Sequence, residues 1–160
     1  GKPMANGIPC SAMAIRADVL DAFADDNPYF NTFAGNPVSM AAAQAVLDFI
    51  RENDILAHTQ EMGEKLRAAV RDVTSRHPRL ADVRGAGLFC GVEVVKPGTQ
   101  EADRSFAVSL IEQLRENHVL ISLCGPYGNV LKVRPPLVFD DADLDFFASA
   151  LEKSLAQLDH

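Results

Sequence analysis

The chain has 160 residues, 48% hydrophobic and 23% charged, which is enough apolar material for the core of one domain, or of a domain with an appendage. Its net charge of -7 argues against nucleic-acid binding and against docking on an acidic membrane, and no apolar run approaches the roughly 20 residues that cross a bilayer. Three widely spaced cysteines, without Cys/His ligand spacing, argue against disulfides and a metal site and favour a reducing, cytoplasmic setting.

Residues 1–7 place a lysine, Lys2, among small and turn-forming residues. A lysine that forms an imine must be partly deprotonated in a confined site, and small neighbours allow a cofactor ring to approach the backbone. Most lysines are solvated, so this pattern alone leaves an ordinary surface charge as the alternative. After it, residues 17–23 suit one or two helical turns.

Residues 27–36 are rich in turn formers and contain a hydroxyl, Thr32, shortly before a helix start. Asn36 suits the N-cap position and Pro37 the first helical position, where a missing N–H costs nothing. Backbone N–H groups and the helix dipole favour an anion at such a place, which makes Thr32 a candidate phosphate ligand. An ordinary loop with an Asn–Pro cap is the alternative.

Two helices are predicted after this cap, the first from Pro37 to about residue 52 and the second from about residue 55 to His77. Asn53 and Asp54 separate them, and we place the boundary between two domains here, at 1–53 and 54–160. Apolar positions at helical spacing predict the buried stripe of the second helix: Leu56, Met62, Leu66, Ala69, Val70 and Val73.

The remaining sequence predicts the element order β-α-β-β-α from residue 83 onwards. The strands are expected at 88–95, 119–122 and 130–134, the first helix at 101–117, and the last helix after an N-cap at Asp140. This order predicts an α+β domain with a small, mainly antiparallel sheet covered by helices on one face.

Lys132 and Arg134 stand two positions apart in the last predicted strand, so their side chains should share one face of the sheet. On one face the two cations can bind a single anion together. The alternative is a pair of surface cations on an edge strand.

Four motifs, at residues 1–7, 29–37, 82–88 and 128–137, together resemble the class III (omega-amino-acid type) pyridoxal-phosphate aminotransferases over essentially the whole chain. Within that family, the chain resembles the branch that includes phospho-lyases acting on phosphorylated amino alcohols. The resemblance implies an α/β enzyme of PLP fold type I. Residues 1–53 would end the large cofactor-binding domain with an interdomain helix, and residues 54–160 would form the α+β C-terminal small domain.

The resemblance also implies roles for the candidate residues. Lys2 would be the internal-aldimine lysine, and Thr32 would bind the phosphate of pyridoxal 5'-phosphate held by the neighbouring subunit of a homodimer. Lys132 occupies the place where many members have an arginine that clamps a substrate carboxylate, and Arg134 follows. A lysine offers a point charge instead of a bidentate fork, which leaves room for a phosphate-bearing substrate.

The function implied by the resemblance is transfer of an amino group from an amine or omega-amino acid to a keto acid through a lysine aldimine. One alternative is elimination of phosphate from a phosphorylated amino alcohol, and another is a non-catalytic α+β binding module. We expect residues upstream of Gly1 to supply an aspartate for the pyridine nitrogen and an aromatic ring that stacks on the cofactor. The 160 residues alone are therefore expected to be inactive.

Overall fold

The computed structural model describes Gly1 and residues 3–159, and these residues divide into two compact units, Gly1–Ile55 and Leu56–His160. The division falls at the first residue of the third helix of the chain. Elements are numbered α1 to α5 and β1 to β4 in chain order.

The first unit contains helices α1, Ala17–Asp26, and α2, Pro37–Glu52. The predicted cap of α2 is confirmed, because the Asn36 side-chain oxygen accepts hydrogen bonds from the backbone N–H groups of the second and third helical residues, at 3.0 and 3.2 Å. The helix ends where it was predicted to end, at Asn53, whose backbone N–H donates to the Phe49 carbonyl.

Neither α1 nor α2 has a buried residue among those the structure describes. The loop between the helices carries three aromatic side chains that are largely exposed, Tyr29 at 72%, Phe30 at 86% and Phe33 at 83%. Soluble proteins rarely leave so many neighbouring apolar side chains exposed on a surface that has no binding partner.

The second unit contains α3, Ile55–Thr74, and a four-stranded sheet in the order β1-β2-β4-β3, with every neighbouring pair antiparallel. The prediction of an α+β unit with an antiparallel sheet is confirmed. Its remaining elements, in chain order, are β1 Leu80–Ala86, β2 Phe89–Val94, α4 Arg104–Glu116, β3 Ser122–Cys124, β4 Val130–Val133 and α5 Asp141–Leu158.

The predicted element order is wrong at its start, because β1 forms a hairpin with β2 that the sequence pattern did not reveal. Gly85 and Gly87 resemble loop residues, yet Gly85 lies within β1 and Gly87 in the tight turn that follows, with φ values of 154° and 50°. The pairing of β1 also shifts register between Leu80 and Val83, which breaks the alternation that identifies a strand.

The core of the second unit lies between the sheet and its helices. Alternating residues of β2 and β4 supply the sheet side, and residues three or four positions apart on α4 and α5 supply the helix side. The buried side chains from the strands and from the last two helices are Cys90, Val92, Val94, Leu131, Val133, Leu110, Leu114, Leu144, Phe147, Leu151 and Leu155.

Helix α3 contributes Met62, Leu66, Val70 and Val73 to this core, as predicted. The prediction for Leu56 is wrong, because its side chain is 75% exposed. Leu56 lies six residues before Met62, which turns it about 120° away from the buried stripe of a regular helix.

Helix α3 approaches the β1–β2 turn at a glycine–glycine contact. A Cβ atom added to Gly63 would lie 2.1 Å from the Gly87 carbonyl oxygen, so a hydrogen atom is the largest side chain that fits there. The same carbonyl accepts a hydrogen bond from Arg67 Nη1 at 2.8 Å. The contact therefore fixes the position of the hairpin against the helix.

Over the described residues, no helix combines the length and apolar character needed to cross a membrane. The same part of the chain contains no group of three or more His, Cys, Asp or Glu side chains placed to hold a metal ion.

Candidate functional site

The loop around Thr32 is folded by its own side chains and one glycine. Asn31 accepts a hydrogen bond from Phe33 N–H through its side-chain oxygen at 3.0 Å, and from Ala34 N–H through its carbonyl at 3.2 Å. Gly35 has a φ of 66°, a left-handed conformation that favours glycine. The predicted lysine of the first motif, Lys2, lies outside the described residues.

The start of α2 offers few donors to an anion, which changes the physical basis of the phosphate prediction. The N–H groups of Val38 and Ser39 bond to the Asn36 side chain, Pro37 has none, and the next N–H along the helix bonds to the Asn36 carbonyl. The exposed Thr32 hydroxyl makes no hydrogen bond to any described residue. Its donor chemistry fits a cofactor phosphate, through a side chain instead of through helix N–H groups.

A cleft of about 690 Å³ borders this loop within the first unit. Its polar lining includes Ser11, Asn31, Asn36 and Ser39, whereas Thr32 is not among the lining residues. Among the described residues, the Thr32 hydroxyl is therefore not part of this cleft.

The second unit has a cavity of about 590 Å³ that is lined by both predicted substrate cations, Lys132 and Arg134. Lys132 lies in β4 and is half-buried, whereas Arg134 follows one residue after the end of the strand and is exposed. The rest of the lining is mixed: His118, Val119, Leu120, Ile121, Ser122, Val133, Pro135, Pro136, Phe139, Asp143, Phe146 and Phe147.

Neither cation forms an ion pair with a described residue, and the nearby acids have other partners. Glu93 bonds to Arg84 Nη1 at 3.0 Å, and that guanidinium has its pKa raised by hydrogen bonds to Asp82 and Glu93. The Asp143 carboxylate accepts from the backbone N–H of the preceding cap residue, at 3.3 Å. The cavity lining therefore contains two cations, Lys132 and Arg134, and one carboxylate, Asp143, which leaves a net positive charge for an anion.

The apolar wall of this cavity is held by a contact from α3. His58 Nε2 lies 2.9 Å from the Phe139 carbonyl oxygen, and the Phe139 side chain is 7% exposed. This contact joins residues 81 positions apart and fixes the segment that leads into α5.

Sequence reasoning missed three polar residues of the cavity, Ser122, His118 and Asp143. Ser122 is the Cα partner of Lys132 on the adjacent strand, a register that depends on the length of the β3–β4 turn. His118 has a left-handed φ of 65° just after α4, where Val119 N–H donates to the Leu114 carbonyl. Glycine usually occupies this left-handed position just after a helix. A histidine at the predicted end of a helix therefore marks a candidate functional residue.

The family model for class III aminotransferases (Aminotransferase class-III) matches residues 1–155. The chain belongs to this pyridoxal-phosphate-dependent family, and its fold is that of the C-terminal part of PLP fold type I enzymes. The predicted family, cofactor and fold class are confirmed.

Two curated relatives show the range of activities in the family. The chain is 41% identical over 157 residues to ethanolamine-phosphate phospho-lyase homolog 1 of Caenorhabditis elegans, covering 97% of this chain and 34% of that protein. It is 33% identical over 157 residues to 5-aminovalerate aminotransferase of Pseudomonas putida, covering 98% of this chain and 37% of that protein. The chain thus spans about a third of the length of these relatives.

The similar solved structures also include both a phospholyase and an aminotransferase. A phospholyase from Arthrobacter in complex with phosphoethanolamine superimposes with a TM-score of 0.94 at 43% identity, over 98% of this chain and 37% of that one. The ornithine aminotransferase from Toxoplasma gondii superimposes with a TM-score of 0.83 at 27% identity, over 99% of this chain and 36% of that one.

Proposed function

We propose that this chain acts as the C-terminal portion of a pyridoxal-phosphate-dependent lyase that removes phosphate from a phosphorylated amino alcohol. The observation that carries the proposal is the cavity with Lys132 and Arg134, two cations without an acidic partner among the described residues. Similarity supports the same reaction, because relatives at 41% and 43% identity are named as phospho-lyases.

The cofactor and the chain divide the chemistry between them. Pyridoxal phosphate, when bound, supplies the electron sink that labilises bonds at the amino-bearing carbon. We assign the holding of the cofactor to Lys2, whose Nζ also carries a proton between carbon atoms. Thr32 donates its hydroxyl hydrogen to a phosphate oxygen of the cofactor across a homodimer interface.

Lys132 and Arg134 bind the phosphate group of the substrate. As the carbon–oxygen bond breaks, negative charge accumulates on the departing phosphate, and cations fixed beside it stabilise that charge more than they stabilise the bound substrate.

Amino transfer from an amine or omega-amino acid to a keto acid is the second candidate function. It is supported by the 33% identical 5-aminovalerate aminotransferase. A carboxylate has two oxygens that suit the guanidinium fork of Arg134, so the same cavity has a group for this substrate class as well. The family match spans residues 1–155, which argues against an unrelated, non-catalytic binding module.

The test uses the longer enzyme that contains this chain, with O-phosphoethanolamine as the substrate. A lyase should convert it, with one water, to one equivalent each of phosphate, ammonia and acetaldehyde, without a keto acid. Lys132→Met should raise KM for this substrate by at least tenfold, since a charge-assisted contact is lost. Consumption of a keto acid without phosphate release would contradict the proposal and assign amino transfer instead.

The 160-residue chain alone should release no phosphate, because a cofactor site needs orienting groups as well as a covalent lysine. In the longer enzyme, borohydride reduction should attach the cofactor to Lys2. Attachment to another lysine would refute that assignment. A homodimer and a cytoplasmic location stay predictions.

A further inference from the structure

A row of four residues crosses the outer face of the sheet in the second unit. Strand pairing makes Arg84 the Cα partner of Gly91, Gly91 the partner of Lys132, and Lys132 the partner of Ser122. Because side chains directly opposite each other on an antiparallel sheet point to the same face, these four share one surface. Lys132 therefore has one lateral neighbour on β2 and one on β3.

The two lateral neighbours of Lys132 differ in the side chain that each can bring to it. Gly91 offers no side chain, and a Cβ added there would meet Val130 Cγ1 at 3.3 Å. Beyond Gly91, the Arg84 guanidinium is held by Glu93 at 3.0 Å. Within the described residues, Ser122 is thus the lateral neighbour that brings a polar side chain to Lys132.

The hydroxyl of Ser122 is available to a ligand. The residue is exposed, lines the same cavity as Lys132 and Arg134, and its Oγ makes no hydrogen bond to a described residue. Directly opposed residues of an antiparallel pair have Cβ atoms about 4.5–5.5 Å apart. At that spacing, a hydroxyl and an ammonium can both reach oxygens of one tetrahedral anion.

We propose that Ser122 determines specificity for phosphate by donating a hydrogen bond to the anion that Lys132 and Arg134 bind. The inference rests on the proposed function. A phosphate monoester has three terminal oxygens, so a point charge and a guanidinium fork leave acceptor capacity that a hydroxyl fills. A carboxylate has two oxygens and gains less from a third donor. Ser122 therefore shifts the preference of the cavity from carboxylate to phosphate.

The competing explanation is that Ser122 is simply a polar residue on an exposed edge strand of three residues, where polar side chains discourage pairing with other chains. The two explanations differ in what they predict for Ser122→Ala. Replacing a residue that only keeps the strand edge polar should change solubility or stability. Replacing a specificity residue should change the affinity for one class of anion.

The experiment compares Ser122→Ala, Ser122→Thr and a matched control, Ser109→Ala. Ser109 is also exposed, but its hydroxyl donates to the Ser105 carbonyl on α4 and lies outside the cavity lining. Each change is made in the longer enzyme. KM and kcat are measured for O-phosphoethanolamine, and the inhibition constant Ki of 5-aminovalerate, as a competing carboxylate, is measured in the same assay. The Kd of inorganic phosphate for the 160-residue chain is measured by calorimetry, which gives a readout independent of turnover.

Ser122→Ala should raise KM for O-phosphoethanolamine and Kd for inorganic phosphate about tenfold, while kcat for O-phosphoethanolamine and Ki for 5-aminovalerate change by less than about twofold. Ser122→Thr keeps the hydroxyl and should restore both values, and Ser109→Ala should change neither. An unchanged phosphate affinity in Ser122→Ala, while Lys132→Met loses it, would overturn the role of Ser122 and leave the proposed function standing. Unchanged affinity in both variants would overturn both. An equal loss of affinity for O-phosphoethanolamine and for 5-aminovalerate would overturn the specificity role.

Discussion

Replacing Gly63 with alanine should destabilise the second unit, even though alanine is the better helix former. The added Cβ would lie 2.1 Å from the Gly87 carbonyl oxygen and 2.3 Å from its carbonyl carbon. Both are backbone atoms, so no side-chain rotation relieves the overlap. Helix α3 or the β1–β2 turn must move by more than about 1 Å to reach normal contact distance.

The magnitude follows from three contributions. Forcing a methyl group into a packed contact costs about 1–3 kcal/mol, and a backbone obstacle places this case at the upper end. Displacement of the turn also weakens the hydrogen bond from Arg67 to the Gly87 carbonyl, worth about 1.5 kcal/mol. Replacing glycine by alanine inside a helix gains about 1 kcal/mol. We expect a net loss of about 3 kcal/mol in the free energy of unfolding.

Urea denaturation followed by far-UV circular dichroism measures this loss. The matched control is Ala68→Gly, at an exposed position of the same helix, which reports the helix-propensity difference alone and should cost about 1 kcal/mol. If Gly63→Ala instead raises the free energy of unfolding by the amount that Ala68→Gly lowers it, the contact between α3 and the hairpin does not constrain the fold, and the reasoning is refuted.

Three further predictions concern the second unit. Asp140→Ala should lower the free energy of unfolding by about 1 kcal/mol, because it removes the side chain that caps α5 at 3.0 Å. Asn129→Ala should cost about 2–3 kcal/mol, because the buried amide donates to the Val94 carbonyl at 2.8 Å. Burial raises the pKa of the Cys90 thiol, so at pH 7–8 a disulfide reagent should modify exposed Cys124 first and Cys90 only on unfolding.

Each of these has a matched control. Asp140→Asn keeps a capping oxygen and should retain most of the stability. Asn27→Ala removes a comparable amide-to-carbonyl bond from an exposed helix end, and a cost equal to that of Asn129→Ala would contradict the role of burial. Rapid labelling of Cys90 in a Cys124→Ser variant would contradict the pKa argument.

The raised pKa of Cys90 also gives stability a pH dependence with a definite sign. Above the ordinary thiol range the unfolded chain releases a proton that the folded chain retains, so the free energy of unfolding falls as the pH rises there. Chemical denaturation at pH 8 and pH 10 measures the difference, and Cys90→Ala should reduce it. If the Cys90→Ala variant shows the full difference in the free energy of unfolding between pH 8 and pH 10, groups other than Cys90 cause that difference.

Local chemistry made several parts of the fold predictable from the sequence. The caps at Asn36 and Asp140 depend on one side chain and the backbone next to it, and both lie where they were predicted. The inner face of α3 follows from the 3.6-residue period, which few side chains interrupt. The inference fails at Leu56, because a hydrophobic residue outside the stripe looks the same in the sequence as one within it.

Features that depend on pairing between distant segments were not predictable in the same way. Strand β1 has a register shift and a glycine, Gly85, so neither alternation nor composition identifies it. The cavity brings Lys132 together with Ser122 through β-sheet register, and with His118 through the end of another helix. Sequence spacing supplies the neighbours along a strand, whereas the neighbours across it depend on turn geometry.

The strand order β1-β2-β4-β3 has a consequence for how this unit is made. Strand β2 gains its first partner at once through a tight turn, but its second partner arrives only after α4 and β3 have left the ribosome. During that interval a nascent hairpin has an open hydrogen-bonding edge, which is a template for association with other chains. Pairing of β4 with β2 closes that edge, so the tendency of the nascent hairpin to associate with other chains should fall once β4 has been made.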